Sequence, residues 1–111
     1  MSSFNILIAE IACPSCGNKS QVRIQFKFGN TWQLKYRVGD IITWGGNDTG
    51  SPNLGQVKVY GIIESSTCPF CKKNAIPEEY DILVVNNEIT SVTPLVEIQD
   101  YLKGNGEFVI L

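Results

Sequence analysis

The stretches IACPSCGNKS at residues 11–20 and STCPFCKKN at residues 66–74 decide how the rest of the chain is read. Each contains a Cys-Pro-X-Cys step, and together they hold all four cysteines of the 111-residue chain. In such a step both thiols lie on one side of a tight turn, and amide N–H groups of the turn point back at the sulfurs. One pair makes half of a tetrahedral site, and two pairs complete it. Zn²⁺ accepts four thiolates at about 2.3 Å and imposes no ligand-field geometry of its own. Pro14 and Pro69 fix φ within each turn. Gly17 follows the second cysteine of the first step and supplies a left-handed residue, whereas the second step has Lys72 at that place. The expected ligands are Cys13, Cys16, Cys68 and Cys71. Four protein ligands leave no open coordination position, so such a site is structural and not hydrolytic.

On either side of these steps the chain reads as strands. FNILIAEIA at 4–12 enters the first step, and QVKVYGIIE at 56–64 leads toward the second. The clearest periodicity lies between them. Val22, Ile24, Phe26 and Phe28 alternate with polar residues, as do Trp32, Leu34, Tyr36 and Val38 beyond Gly29-Asn30. Period two on both sides of a Gly-Asn predicts a β-hairpin. A three-residue loop, 29–31, would pair Phe28 with Trp32, Phe26 with Leu34, Ile24 with Tyr36 and Val22 with Val38, placing both apolar rows on one face. The other face would carry Arg23 opposite Arg37, with Lys27 and Lys35 nearby.

GDIITW at 39–44 is expected to be another short strand, and GGNDTGSPNLG at 45–55 a flexible surface loop. That loop has glycines and Asp48 but neither a following helix nor a lysine in Walker spacing, so it is not read as a phosphate cradle. As the longest irregular segment it is a candidate contact surface. YDILVVNNEITSVTPL predicts a second hairpin turning near Asn86-Asn87, VEIQDYL a short helical turn or a strand, and GEFVIL a closing edge strand. Trp32, Tyr36, Trp44, Tyr60 and Phe70 are expected in the core or half-buried, with Trp44 and Phe70 as partner-contact candidates. The fold class is therefore mainly β with little helix, one domain over residues 1–111, a size that buries a modest core.

The first ten residues, MSSFNILIAE, have no basic n-region, and their apolar run is too short for a signal peptide or a membrane span. The chain is expected in a reducing cytoplasm, where paired cysteines hold metal more often than they form disulfides. The net charge of −2 is unevenly spread. Residues 11–39 hold five cations (Lys19, Arg23, Lys27, Lys35, Arg37) and no acid, while residues 74–111 hold seven acids against Lys103. Either the two regions meet and neutralise each other, the reading overall acidity favours, or the basic part faces an anionic partner. With no histidine and no serine placed beside a base, no catalytic constellation is legible. The chain is expected not to be an enzyme.

The matched Cys13-Pro14-Ser15-Cys16-Gly17 and Cys68-Pro69-Phe70-Cys71 steps resemble the two knuckles of the zinc-ribbon, or rubredoxin-like, group. The resemblance covers the knuckles and their adjoining strands, and residues 18–65 look like an elaborated insertion with its own sheet. It implies antiparallel hairpins joined by a structural Zn²⁺. It also implies a non-catalytic module that binds a protein through the hairpin face or the 45–55 loop. The alternatives are a nucleic-acid-binding ribbon using Arg23, Lys27, Lys35 and Arg37, and an iron-containing electron carrier. Redox chemistry of the Cys-X-X-Cys pairs is disfavoured, because such pairs usually open a helix that lowers the thiol pKa.

Overall fold

The computed structural model describes residues 4–102 and 106–111. In chain order the elements are β1 (Asn5–Ala12), β2 (Lys19–Phe26), β3 (Gly29–Asn30), β4 (Lys35–Arg37), β5 (Asp48–Thr49), β6 (Gln56–Ile63), β7 (Glu79–Val85), β8 (Glu88–Pro94), α1 (Gln99–Leu102) and β9 (Phe108–Ile110). The fold is mainly β, and α1 is the one helix among the described residues. No helix there is long and apolar enough to cross a membrane.

The main sheet has the order β4-β1-β2-β6-β7-β8, with β9 beside β6. Its inner face follows the period-two pattern. Leu7, Ile24, Tyr36, Val57, Val59, Tyr80, Ile82, Val84 and Ile89 are buried in one hydrophobic cluster. Gly61 belongs to this face because nothing larger fits: a Cβ there would lie 2.6 Å from Ile24 Cγ2. β7 and β8 form the expected hairpin, and Asn86 and Asn87 at φ 49° and 70° make the turn whose twist suits a two-residue connection. Past β4 the chain reaches the far edge of the sheet. Gly39 and Ile42 donate to the carbonyls of Ile89 and Asn87, and Ile89 donates to Asp40 O, at 2.7, 2.7 and 3.0 Å. The sheet therefore curls until its ends meet. GDIITW contributes these bonds and an isolated bridge, Ile41 to Glu88, but not the strand expected of it.

The hairpin predicted between residues 22–28 and 32–38 does not form. β1 lies between its two halves, antiparallel to β2 and parallel to β4. The reason is burial: Ile6 on one face of β1 and Leu7 on the other are 3% and 0% exposed. A strand that is apolar on both faces gains most from an interior place in the sheet, and the predicted hairpin would leave it at an edge. Within residues 18–65, β2, β4 and β6 accordingly share the main sheet with β1 and β7, and only the short β3–β5 pair forms a separate, two-stranded sheet.

The segment between β2 and β4 crosses the end of β1, held by Asn5. Its side chain is fully buried and donates from Nδ2 to Phe28 O and Asn30 O, each at 3.1 Å. Its Oδ1 accepts from the Trp32 and Leu34 amides at 3.3 and 3.0 Å. Trp32, expected inside, is carried outward on this excursion and is 68% exposed. The 45–55 loop is tied down and not free. β5 pairs with β3, and Asn47 Nδ2 donates to Thr31 O and Oγ1 at 3.0 and 3.1 Å.

Candidate metal centre

Each Cys-Pro-X-Cys step is the tip of a hairpin. The first joins β1 to β2, whose ladder runs to the pair Ala12–Lys19. The second is carried on the longer connection from β6 to β7, anchored by buried Ile76, whose amide donates to Ser66 O at 3.2 Å. β6 is antiparallel to β2, with Ile63 opposite Ile24. Both tips therefore leave the sheet at the same end.

The two turns share one hydrogen-bond pattern. Cys13 N donates to Asn18 O at 2.9 Å, and Cys68 N to Lys73 O at 3.0 Å. Gly17 N donates to Cys13 O at 2.7 Å, and Lys72 N to Cys68 O at 2.9 Å. Gly17 has φ 78° and Lys72 has φ 65°, so Lys72 takes up the left-handed conformation that Gly17 adopts without strain. A left-handed lysine costs about 1 kcal/mol. We expect Lys72→Gly to raise stability by about 0.5–1 kcal/mol, measured as a shift of the chemical-denaturation midpoint. An unchanged or lowered midpoint would mean that the lysine's charge beside the sulfurs matters more than its backbone strain.

The turns bring together the four expected ligands, and no other metal-ligating side chain among the described residues joins them: the sulfurs of Cys13, Cys16, Cys68 and Cys71 lie within 4.8 Å of one another. Cys13 Sγ is 3.8 Å from Cys71 Sγ, and Cys16 Sγ is 3.7 Å from Cys68 Sγ. These distances are far beyond the ~2.05 Å of a disulfide, and all four cysteines are free. They match the edge of a tetrahedron with sulfurs about 2.3 Å from a common centre, which is about 3.8 Å. The donor set thus fits a metal ion, with two buried ligands (Cys13, Cys68), half-buried Cys71 and exposed Cys16.

Electrostatics point the same way. Amide N–H groups of Cys71 first, and then Phe70, hold the Cys68 thiol below its ordinary pKa. The Lys73 amide also favours a Cys71 thiolate, but burial and the adjoining sulfurs of Cys68, Cys13 and Cys16 outweigh it and push that thiol up. Four thiolates this close repel strongly, so only a cation among them lets all four ionise.

The other candidate residues scatter. Arg23, Lys35 and Arg37 share the outer face of the sheet, but Arg23 is not opposite Arg37: both flank Ile8 from opposite sides. Lys27 is half-buried and lines a cavity of about 400 Å³ with Phe4, Tyr60 and Ile62. Trp44 is half-buried, edge-on to Phe28 with ring centroids 5.3 Å apart, and its Nε1 donates to Asn87 Oδ1 at 3.3 Å. Asp48 Oδ1 accepts from the Gly45 amide at 2.9 Å. Trp44 and Asp48 therefore hold the fold's own loops. Phe70 stands out from its knuckle, 59% exposed. Asn5 was not legible as a key residue. Its one signal is a polar side chain at an inward position of an apolar strand.

No protein-family model matches the chain, and no curated protein or solved structure matches it either, so the four-sulfur geometry is what any functional assignment has to start from.

Proposed function

We propose that the chain is a zinc-clamped β domain of the zinc-ribbon type whose work is to bind a protein partner, without catalysis. The observation that carries this reading is the set of four sulfurs at tetrahedron-edge spacing on two matched hairpin tips. Zn²⁺ would be held by Cys13, Cys16, Cys68 and Cys71 and would supply cross-linking. It would tie the β1–β2 tip to the β6–β7 tip. All four ligand positions are filled by protein, which leaves none for a substrate or water. The knuckle lysines Lys72 and Lys73 would offset the formal −2 charge of a zinc tetrathiolate.

Metal analysis of protein purified without added metal tests this reading. One zinc per chain and a colourless solution are expected. Iron with a thiolate-to-metal absorption band would replace the reading with an electron carrier. Metal-free protein that is equally heat-resistant would end it.

A further inference from the structure

Of the basic residues between 11 and 39, only Arg23 has an ion pair among the described residues, and its partner is Glu64, outside the acidic region. The other ion pair is Lys58 with Asp100. Among the described residues no ion pair joins a cation of 11–39 to an acid of 74–111, although Lys27 and Glu107 line the same cavity. Lys35 and Arg37 are exposed on the outer face of β4, with no carboxylate in ion-pair reach among the described residues. Asp40 does not serve them: its Oδ2 accepts from the Arg37 amide at 2.8 Å, and its own amide donates to Arg37 O at 3.0 Å.

Those two bonds also occupy the open main-chain edge of β4 at Arg37, so a partner cannot simply add there as another strand. What remains available is the side-chain surface. Register places it in two rows: Arg37–Ile8–Arg23, and Lys35–Ile6–Gln25. Directly paired residues project to one side of a sheet. Each row thus sets an aliphatic side chain between polar or cationic ones, with cations at both ends of the first. Ile8 is half-buried and within reach of a partner, while Ile6 is buried.

We propose that this outer face of β4, β1 and β2 docks an acidic, aliphatic-rich peptide segment of a partner protein. Ile8 is the apolar contact, and Arg37 and Lys35, both on the β4 side of it, pair with the segment's carboxylates. The proposal deepens the binding-module reading above and rests on it. Charge complementarity supplies the attraction, and planar guanidinium groups suit carboxylates in two-point contacts. A nucleic-acid strand fits this face less well. Both rows have aliphatic centres and no aromatic platform for bases.

The test is fluorescence anisotropy on the full, metal-loaded chain at low ionic strength. The probes are a labelled peptide of alternating Glu and Leu and an oligothymidylate of the same charge. We expect the peptide to bind, to weaken as salt is raised, and to bind more tightly than the oligothymidylate. Lys35→Glu with Arg37→Glu should lower peptide affinity at least about tenfold, and Ile8→Ser should lower it at unchanged salt dependence. Metal content is measured on the same samples. Peptide binding unaffected by the charge reversal would overturn the proposal. So would tighter binding of the oligothymidylate, which would assign the face to nucleic acid, or no binding of either probe. A metal-free yet folded sample that still binds the peptide would instead remove the zinc reading and leave the docking face standing.

Discussion

Cys68→Ser is expected to lower the stability of the protein by about 3 kcal/mol or more, because it removes one corner of the four-sulfur set and leaves a hydroxyl in a buried site. Cys68 is 0% exposed and accepts amide hydrogen bonds from its own turn. A serine there can neither carry a thiolate's charge at neutral pH nor be reached by solvent. In a chain of this size the loss corresponds to a fall in Tm of about 10–20 °C. Cys16→Ser should be milder, since Cys16 is exposed and water can take its place. Thermal unfolding followed by circular dichroism, with and without a chelator, measures both. The wild-type protein should approach the Cys68→Ser value once chelated, and the variant should respond little. Equal and small effects at both cysteines, with no response to chelator, would show that the hairpin tips hold together by packing alone.

Asn5 gives the second large effect, and it has nothing to do with metal. Its side chain uses both donors and both acceptor positions on four main-chain groups of residues 28–34. Asn5→Ala strands the Phe28 carbonyl and the Leu34 amide at a buried crossing, while Asn30 O keeps the bond it accepts from the Trp32 amide at 3.1 Å; a loss of about 2 kcal/mol is expected, on the order of 1 kcal/mol for each stranded group. Asn5→Asp keeps the size but turns acceptors toward the Phe28 and Asn30 carbonyls. In that variant the buried carboxyl has a raised pKa. Its stability is therefore highest when the carboxyl is protonated and falls as pH rises through that pKa. Chemical denaturation across the acid range checks this: the gap between Asn5→Asp and wild type should narrow as pH falls. A gap independent of pH would mean that the side chain reaches solvent.

Much of the local structure was legible because it follows from short-range rules. Alternation identified β2, β6, β7 and β8, the Asn86-Asn87 pair identified a turn, and the helical turn at α1 was one of two readings offered for its segment. The ligands could be read because Cys-Pro-X-Cys fixes the local geometry of two sulfurs within one turn, and two such turns leave few other ways to satisfy four thiols. The partners of the strands were less accessible. Within β2 and β4, alternation predicted which face each residue occupies: Arg23, Lys35 and Arg37 do share a face. It could not say which strand lies beside which, since a hairpin and a three-strand arrangement with β1 inserted both bury Ile24, Phe26 and Tyr36. Burial of both Ile6 and Leu7 decided between them.

The mainly β character, the inward rows of β2, β6 and β7 and the four sulfur ligands follow from residue order alone, because each depends on periodicity or on atoms within one turn. Contacts between distant segments settled that β1 divides the expected hairpin, that the sheet closes through residues 39–42, and that among the described residues no ion pair joins a cation of 11–39 to an acid of 74–111. Those outcomes depend on which apolar faces compete for the interior and on which buried polar groups find partners across twenty or more residues, as Asn5 does with Phe28 and Asn30. Such competition is settled between segments, and no single segment contains its result.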